Sequence, residues 1–167
     1  HWRNVESNGH RLAVEGVNLR VVTLFAYLHD KWRRDNFRDI NHGIRAAHHL
    51  VPLRDTLLKE LTDEEFDLLY KACKLHTVCH HTGDITIDTC FDADRLDLVR
   101  CGIQPDPRGM ATKRGKELAR QIRNKYSETK QIIAGSENLY NIGVGAGTSI
   151  SGNYHILSFN TTFLNEK

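Results

Sequence analysis

Histidine and aspartate sit side by side at His29-Asp30, where the apolar run from Val17 to Leu28 ends. Adjacent His and Asp offer one imidazole nitrogen and one carboxylate oxygen to a common point. Far downstream, Asp92-Ala93-Asp94-Arg95-Leu96-Asp97 supplies further carboxylates, and His1 opens the chain. His1, His29, Asp30 and Asp94 are therefore candidate ligands of a metal site with open coordination positions. Mixed imidazole and carboxylate donors suit a borderline divalent ion: Mn, Fe, Co, Ni or Zn. Such an ion lowers the pKa of a water and polarises a phosphoryl oxygen, so the expected chemistry is hydrolysis by a metal-activated water. Arg33 and Arg45 are candidates to stabilise charge on the phosphate, weighed against the commoner role of a solvated face. A His-Asp dipeptide alone is usually a surface pair; the accompanying acidic run and His1 give it weight.

Helix ends must bring these residues together. The periodicity predicts a first helix over 1–13 and a second, centrally buried, over 17–28. The charged segment 31–39 reads as a loop over the site. A third helix is expected over 41–53, with Ala46, Ala47 and Leu50 inward and Pro52 ending or bending it. Thr62-Asp63-Glu64-Glu65 is a capping box; its helix runs through Leu69 and Leu75 towards His80-His81, with Gly83 as the stop. Another helix is expected from Phe91 to Val99, closed by Gly102. Asp92 and Asp97 read as an N-cap and a salt-bridging residue rather than ligands. After the rigid Pro105-Asp106-Pro107, Thr112 caps a last helix through Tyr126. His48 and His49 point about 100° apart on their helix, so at most one can face a site.

The tail differs. Residues 135–153 are rich in Gly, Ser and Asn, and residues 154–164 partly alternate apolar and polar, which fits a hairpin or an edge strand. Gly143-Val144-Gly145-Ala146-Gly147-Thr148 lacks the Lys-Ser/Thr ending of a phosphate loop and reads as a turn. The expected organisation is an all-α helical domain over 1–134, followed by a short appendage, partly β, over 135–167.

Composition narrows the classes. A chain of 167 residues with 40% hydrophobic and 26% charged residues can bury a proper core. No apolar stretch approaches the roughly 20 residues of a membrane span, and no secretory signal pattern is present. The net charge of +2 does not imply a nucleic-acid scaffold. Four cysteines without a CxxC pair argue against a zinc ribbon and read as reduced thiols of a cytoplasmic protein. Because the chain opens on His1 without Met, residues are expected upstream, and a ligand at that position needs metal or preceding chain to hold it.

The runs His1-Trp2-Arg3-Asn4-Val5, Leu28-His29-Asp30 and Ala93-Asp94-Arg95-Leu96 resemble the HD superfamily of metal-dependent phosphohydrolases, whose signature is H…HD…D on a helical bundle. The likeness spans roughly the first 100 residues, and the stretch from Asp92 to Thr112 looks like a branch of small bacterial HD-domain proteins without an assigned substrate. It implies an HD-type bundle with His1, His29, Asp30 and Asp94 on the metal. Binuclear members add histidines between HD and the last Asp. Here His42 and His80 would fill that role, with His76 or His81 as further candidates and Asp30 bridging the ions. His80, with Asp30, is then also a candidate acid–base group. Thr82-Gly83 after the His pair, with no Gly-Tyr-Pro, departs from the HD-GYP phosphodiesterases. The resemblance implies one or two divalent ions and a substrate that is a nucleotide or another small phosphate ester, cleaved as a mono- or diester. The rival is a non-catalytic HD module that binds a nucleotide signal or metal within a larger assembly, the tail serving for docking or for a homo-oligomer.

Overall fold

A computed structural model describes residues 1–35 and 39–142, with side chains through 134. The described residues are helical and contain no strand, an all-α fold. The helices are α1 (Trp2–Leu12), α2 (Leu19–Leu28), α3 (His42–Leu50), α4 (Asp63–Leu75), α5 (Ile85–Asp97) and α6 (Lys113–Ile142). Short 3-10 turns follow α3 at Val51–Leu53 and α5 at Leu98–Cys101, and another precedes α6 at Pro107–Gly109. The chain divides into compact units His1–Thr129 and Lys130–Lys167, and of the second only the helical residues through 142 are described. No helix among the described residues is long and apolar enough to cross a membrane. The expected hairpin over 154–164 and the glycine run 143–148 lie outside the described residues.

The capping box on α4 forms: Glu65 N–H donates to Thr62 Oγ1 at 3.1 Å, and Thr62 N–H donates to Glu65 Oε2 at 3.0 Å. Two helices differ from the sequence expectation. α5 begins at Ile85 rather than Phe91, because Asp84 Oδ1 accepts from the backbone N–H of Thr86 and Ile87, at 2.9 Å each. The β-branched Ile85-Thr86-Ile87 lowers helix propensity locally, but residues from Thr86 to Ala93 are all buried and packing outweighs propensity. α6 passes Tyr126 and reaches Ile142, so residues 135–142 are helical rather than the start of an irregular tail. No proline interrupts it, and a lone Gly135 costs only about 1 kcal/mol in a helix interior.

α5 is the central helix and packs against α1, α2 and α4. The core around it includes Val5, Leu12, Val22, Phe25, Leu50, Leu69 and Phe91. Asp92, fully buried in α5, is not the N-cap of its own helix. Its carboxylate accepts from Ala111 N–H, Thr112 N–H and Thr112 Oγ1 at 2.7–2.8 Å, while Thr112 Oγ1 accepts from Gly115 N–H at 2.8 Å. Asp92 thus pins the start of α6 to the middle of α5, two residues before the ligand candidate Asp94.

Candidate metal centre

Six residues converge at one end of the bundle. His1 precedes α1, His29 and Asp30 follow α2, His42 opens α3, His76 follows α4, and Asp94 lies in the last turns of α5. Their donor atoms form three overlapping triads, each within 4.8 Å: His1, His29, Asp30; His29, His76, Asp94; and Asp30, His42, His76. α3 and α4 approach closely because Gly43 has no side chain. A Cβ there would stand 2.7 Å from Cys73 O and 3.2 Å from His76 Cε1.

The ring nitrogens show how the cluster is set. His29 Nδ1 faces Phe25 O at 2.9 Å, His76 Nδ1 faces Cys73 O at 2.8 Å, and His42 Nδ1 faces Asp39 O. His1 Nδ1 faces Asp97 Oδ2 at 2.7 Å. Each of these oxygens only accepts, so each Nδ1 carries the proton and each neutral ring turns a bare Nε2 lone pair inwards. Those lone pairs then face one another: His1 Nε2 is 3.2 Å from His29 Nε2, and His42 Nε2 is 2.9 Å from His76 Nε2. With the Nε2 atoms bare, buried Asp30 Oδ1 has no hydrogen-bond donor, although His42 Nε2 lies 3.0 Å away. Inward lone pairs around an orphaned carboxylate oxygen repel unless a cation lies among them.

The spacing suits such a cation. Donors bound at roughly 2.0–2.2 Å from one ion lie about 3.0–3.5 Å apart along a tetrahedral or octahedral edge. Around His1 Nε2, the neighbours are His29 Nε2 at 3.2 Å, Asp30 Oδ2 at 3.5 Å and Asp94 Oδ1 at 3.8 Å. Asp30 Oδ1 lies 3.0 Å from His42 Nε2 and 3.6 Å from His76 Nε2. Asp30 therefore turns Oδ2 to His1, and Oδ1 to His42, to His76 and, at 3.8 Å, to His29. These residues could hold two ions, with Asp30 common to both.

Electrostatics agree with a cation-seeking cluster. Burial raises the Asp30 carboxyl, but positive charge among the surrounding His1, His42, His76 and His29, which protonation of the rings at Nε2 supplies where no ion does, outweighs it and holds the group well below the carboxylate range. Asp94 is likewise held down, against burial, chiefly by His29. The Asp30 carboxylate lifts His1 despite burial. For His42 burial is the larger single influence, yet Asp30 and the Asp39 carbonyl together lift it. Burial pushes His76 down, towards the neutral imidazole that ligates metals.

The structure separates the remaining candidates. α4 ends at Leu75, and His76, not His80, is the residue its C-terminus delivers. His80 is exposed and contributes only its carbonyl, which accepts from Arg95 Nη1 at 3.0 Å. His81 is exposed and turns Nδ1 to Asp88 Oδ2 at 2.6 Å, in the turn that opens α5. Neither belongs to a ligand triad. His80→Ala and His81→Ala are expected to keep the wild-type number of bound ions, measured by elemental analysis of purified protein; a missing ion in either variant would contradict this geometry.

Arg33 follows Asp30 and places Nη1 3.3 Å from Asp30 Oδ2. Arg45 pairs instead with Asp39 and donates from Nε to Trp32 O at 3.3 Å, which ties the loop after α2 to α3. It does not line the cavity above the cluster. That cavity, about 310 Å³, is walled by the six ligand candidates other than His29, by the carboxylates of Asp39 and Asp97, and by Arg33, Ile40, Thr77, Leu98 and Arg100. An apolar groove lined by Leu19, Leu24, Leu57 and Leu61 is larger, about 450 Å³, but holds none of the ligand candidates.

Asp97 is the salt-bridging residue expected, paired with Arg100, and it also holds His1. Nearly buried, it accepts from His1 Nδ1 at 2.7 Å, Asn4 Nδ2 at 2.8 Å and Arg100 Nε at 2.6 Å. It fixes the tautomer and direction of His1, the partnership typical of metal-bound histidines. Asp97→Ala is expected to weaken metal affinity by roughly 10–100-fold, read by titration with a metal-competing chromophore; unchanged affinity would leave Asp97 a purely structural residue.

Comparison with family models, with curated proteins and with solved structures gives no match for this chain.

Proposed function

We propose that this chain is an HD-type, metal-dependent phosphohydrolase of the cytoplasm, acting on a small phosphate ester. The observation that carries the reading is the inward convergence of four Nδ1-protonated histidines on Asp30 and Asp94 beneath an open, arginine-lined cavity. The order of these residues along the chain, H…HD…H…H…D, continues the resemblance noted from the sequence. One or two divalent ions of the Mn, Fe, Co, Ni or Zn group would be held by His1, His29, Asp30 and Asp94, and by Asp30, His42 and His76. Bound there, they would supply Lewis-acid polarisation of a phosphoryl oxygen and a nucleophile at neutral pH.

The chain's own groups account for the rest. The backbone carbonyls of Phe25, Asp39 and Cys73 and the Asp97 carboxylate keep the rings in one tautomer and orientation. Arg33 stands beside Asp30, where it can meet negative charge on the phosphate as it develops. Four free thiols, two of them buried, fit a reducing compartment. The test pairs a count of ions per chain with phosphate release from a panel of small phosphate esters in Mn, Co or Ni. Two ions with turnover support the proposal. Ligand binding without turnover in any metal would favour the non-catalytic module.

A further inference from the structure

The acidic residues of the site recur in a D-x-x-R pattern: Asp30-Lys31-Trp32-Arg33, Asp92-Ala93-Asp94-Arg95 and Asp97-Leu98-Val99-Arg100. On a helical turn, residues three apart are neighbours, so each arginine folds back on its own aspartate. The three arginines nevertheless have different work. Arg95 spends its guanidinium on the backbone carbonyls of Cys79, His80 and Gly109, at 3.0–3.2 Å, and is structural. Arg33 donates from Nε to Asp35 O at 2.9 Å and from Nη1 to Asp30; it and Arg100 line the cavity above the cluster, and they reach it from separate segments, after α2 and after α5.

We infer that Arg33 and Arg100 form a two-armed receptor for the terminal phosphate of a small phosphomonoester, with Ile40 and Leu98 as the apolar contacts for its organic part. The inference rests on the proposed metal-dependent reading of the same site. Arg100 meets Asp97 through Nε, at 2.6 Å, so the guanidinium edge that carries the Nη groups is not the one committed to that bond. A planar guanidinium presents donors in a fixed fork that matches phosphate oxygens. With the proposed ions bound beneath to offset the carboxylates, two arginines favour a dianion, the charge of a terminal phosphate near neutral pH, over the single charge of a diester. Ile40 and Leu98, 53% and 42% exposed, are the aliphatic side chains of the cavity wall and can meet an apolar group there. A cavity of about 310 Å³ is at the small end of ligand pockets, which suits a mononucleotide or a smaller ester rather than a dinucleotide.

The experiment uses the full chain loaded with Mn and reads binding and turnover separately. Inorganic phosphate is titrated calorimetrically into wild type, Arg100→Gln and Arg100→Lys, each with its metal content measured. The expected result is at least a tenfold loss of phosphate affinity in Arg100→Gln at unchanged metal content, with partial recovery in Arg100→Lys. In parallel, hydrolysis of p-nitrophenyl phosphate should suffer mainly in KM, whereas bis-p-nitrophenyl phosphate should be a poor substrate for all three proteins. Phosphate affinity indifferent to Arg100 overturns the inference. So does loss of metal together with phosphate in Arg100→Gln, which would reduce Arg100 to a prop for Asp97 and His1. Preferred cleavage of the diester overturns it as well. If wild type binds phosphate through Arg100 but hydrolyses neither ester, the hydrolase reading fails while the anion receptor stands.

Discussion

Asp30→Ala is expected to strip the metal centre and bring phosphate release to background, a loss of at least roughly 10³-fold, or about 4 kcal/mol of transition-state stabilisation. The size follows from the position of Asp30 in the cluster. It belongs to two of the three ligand triads, and its oxygens divide between the His1 side and the His42–His76 side. Removing it leaves His1, His29, His42 and His76 turning bare nitrogens towards one another with one fewer negative charge to balance an ion. Losing a group that merely orients a ligand costs roughly 10–100-fold in metal affinity, so losing the shared ligand should cost more. Asp30→Asn separates charge from shape. It preserves the volume and one acceptor oxygen, and it should also fail to hold ions at both poles. Elemental analysis and phosphate release, measured on the same preparations, check both variants. Two ions per chain with wild-type turnover in Asp30→Ala would sink the bridging assignment and the mechanism with it.

The sequence carried the parts of this centre that depend on adjacency and helix phase. His29-Asp30 follows a strongly apolar helix, so its location at a buried helix end could be read directly. Asp94 could be placed on the next helix inward. Less legible was the choice among His76, His80 and His81, because it depends on where α4 stops. The apolar pattern gives no sharp end there, whereas the structure ends the helix at Leu75 and lets His76 Nδ1 take up the Cys73 carbonyl. The role of Asp97 was hidden for a different reason: its partner, His1, lies 96 residues away. Arg45 illustrates the same limit. A charged residue on a helix facing a predicted site looks like a phosphate ligand until the loop carrying Asp39 folds back and takes it.

The same nonlocality makes Asp92 the residue whose loss should cost most in stability. Asp92→Ala is expected to destabilise the fold by about 3–5 kcal/mol, because the Ala111 and Thr112 amides and the Thr112 hydroxyl lose their acceptor in a buried place. Against a typical total of roughly 5–15 kcal/mol, that is a large fraction. Gly115 supplies an internal control. A methyl group at Gly115 would run into the Asp92 carboxylate, so Gly115→Ala alone should cost about 1–3 kcal/mol by overpacking. Once Asp92 is truncated, the space it filled can accept that methyl. The double variant should then be no less stable than Asp92→Ala alone, a coupling of about 1–3 kcal/mol between positions 92 and 115. Urea denaturation of the four proteins in the same metal state measures the cycle. Strictly additive costs would mean that the carboxylate does not occupy the space beside Gly115, and that α6 is held to α5 by something other than Asp92.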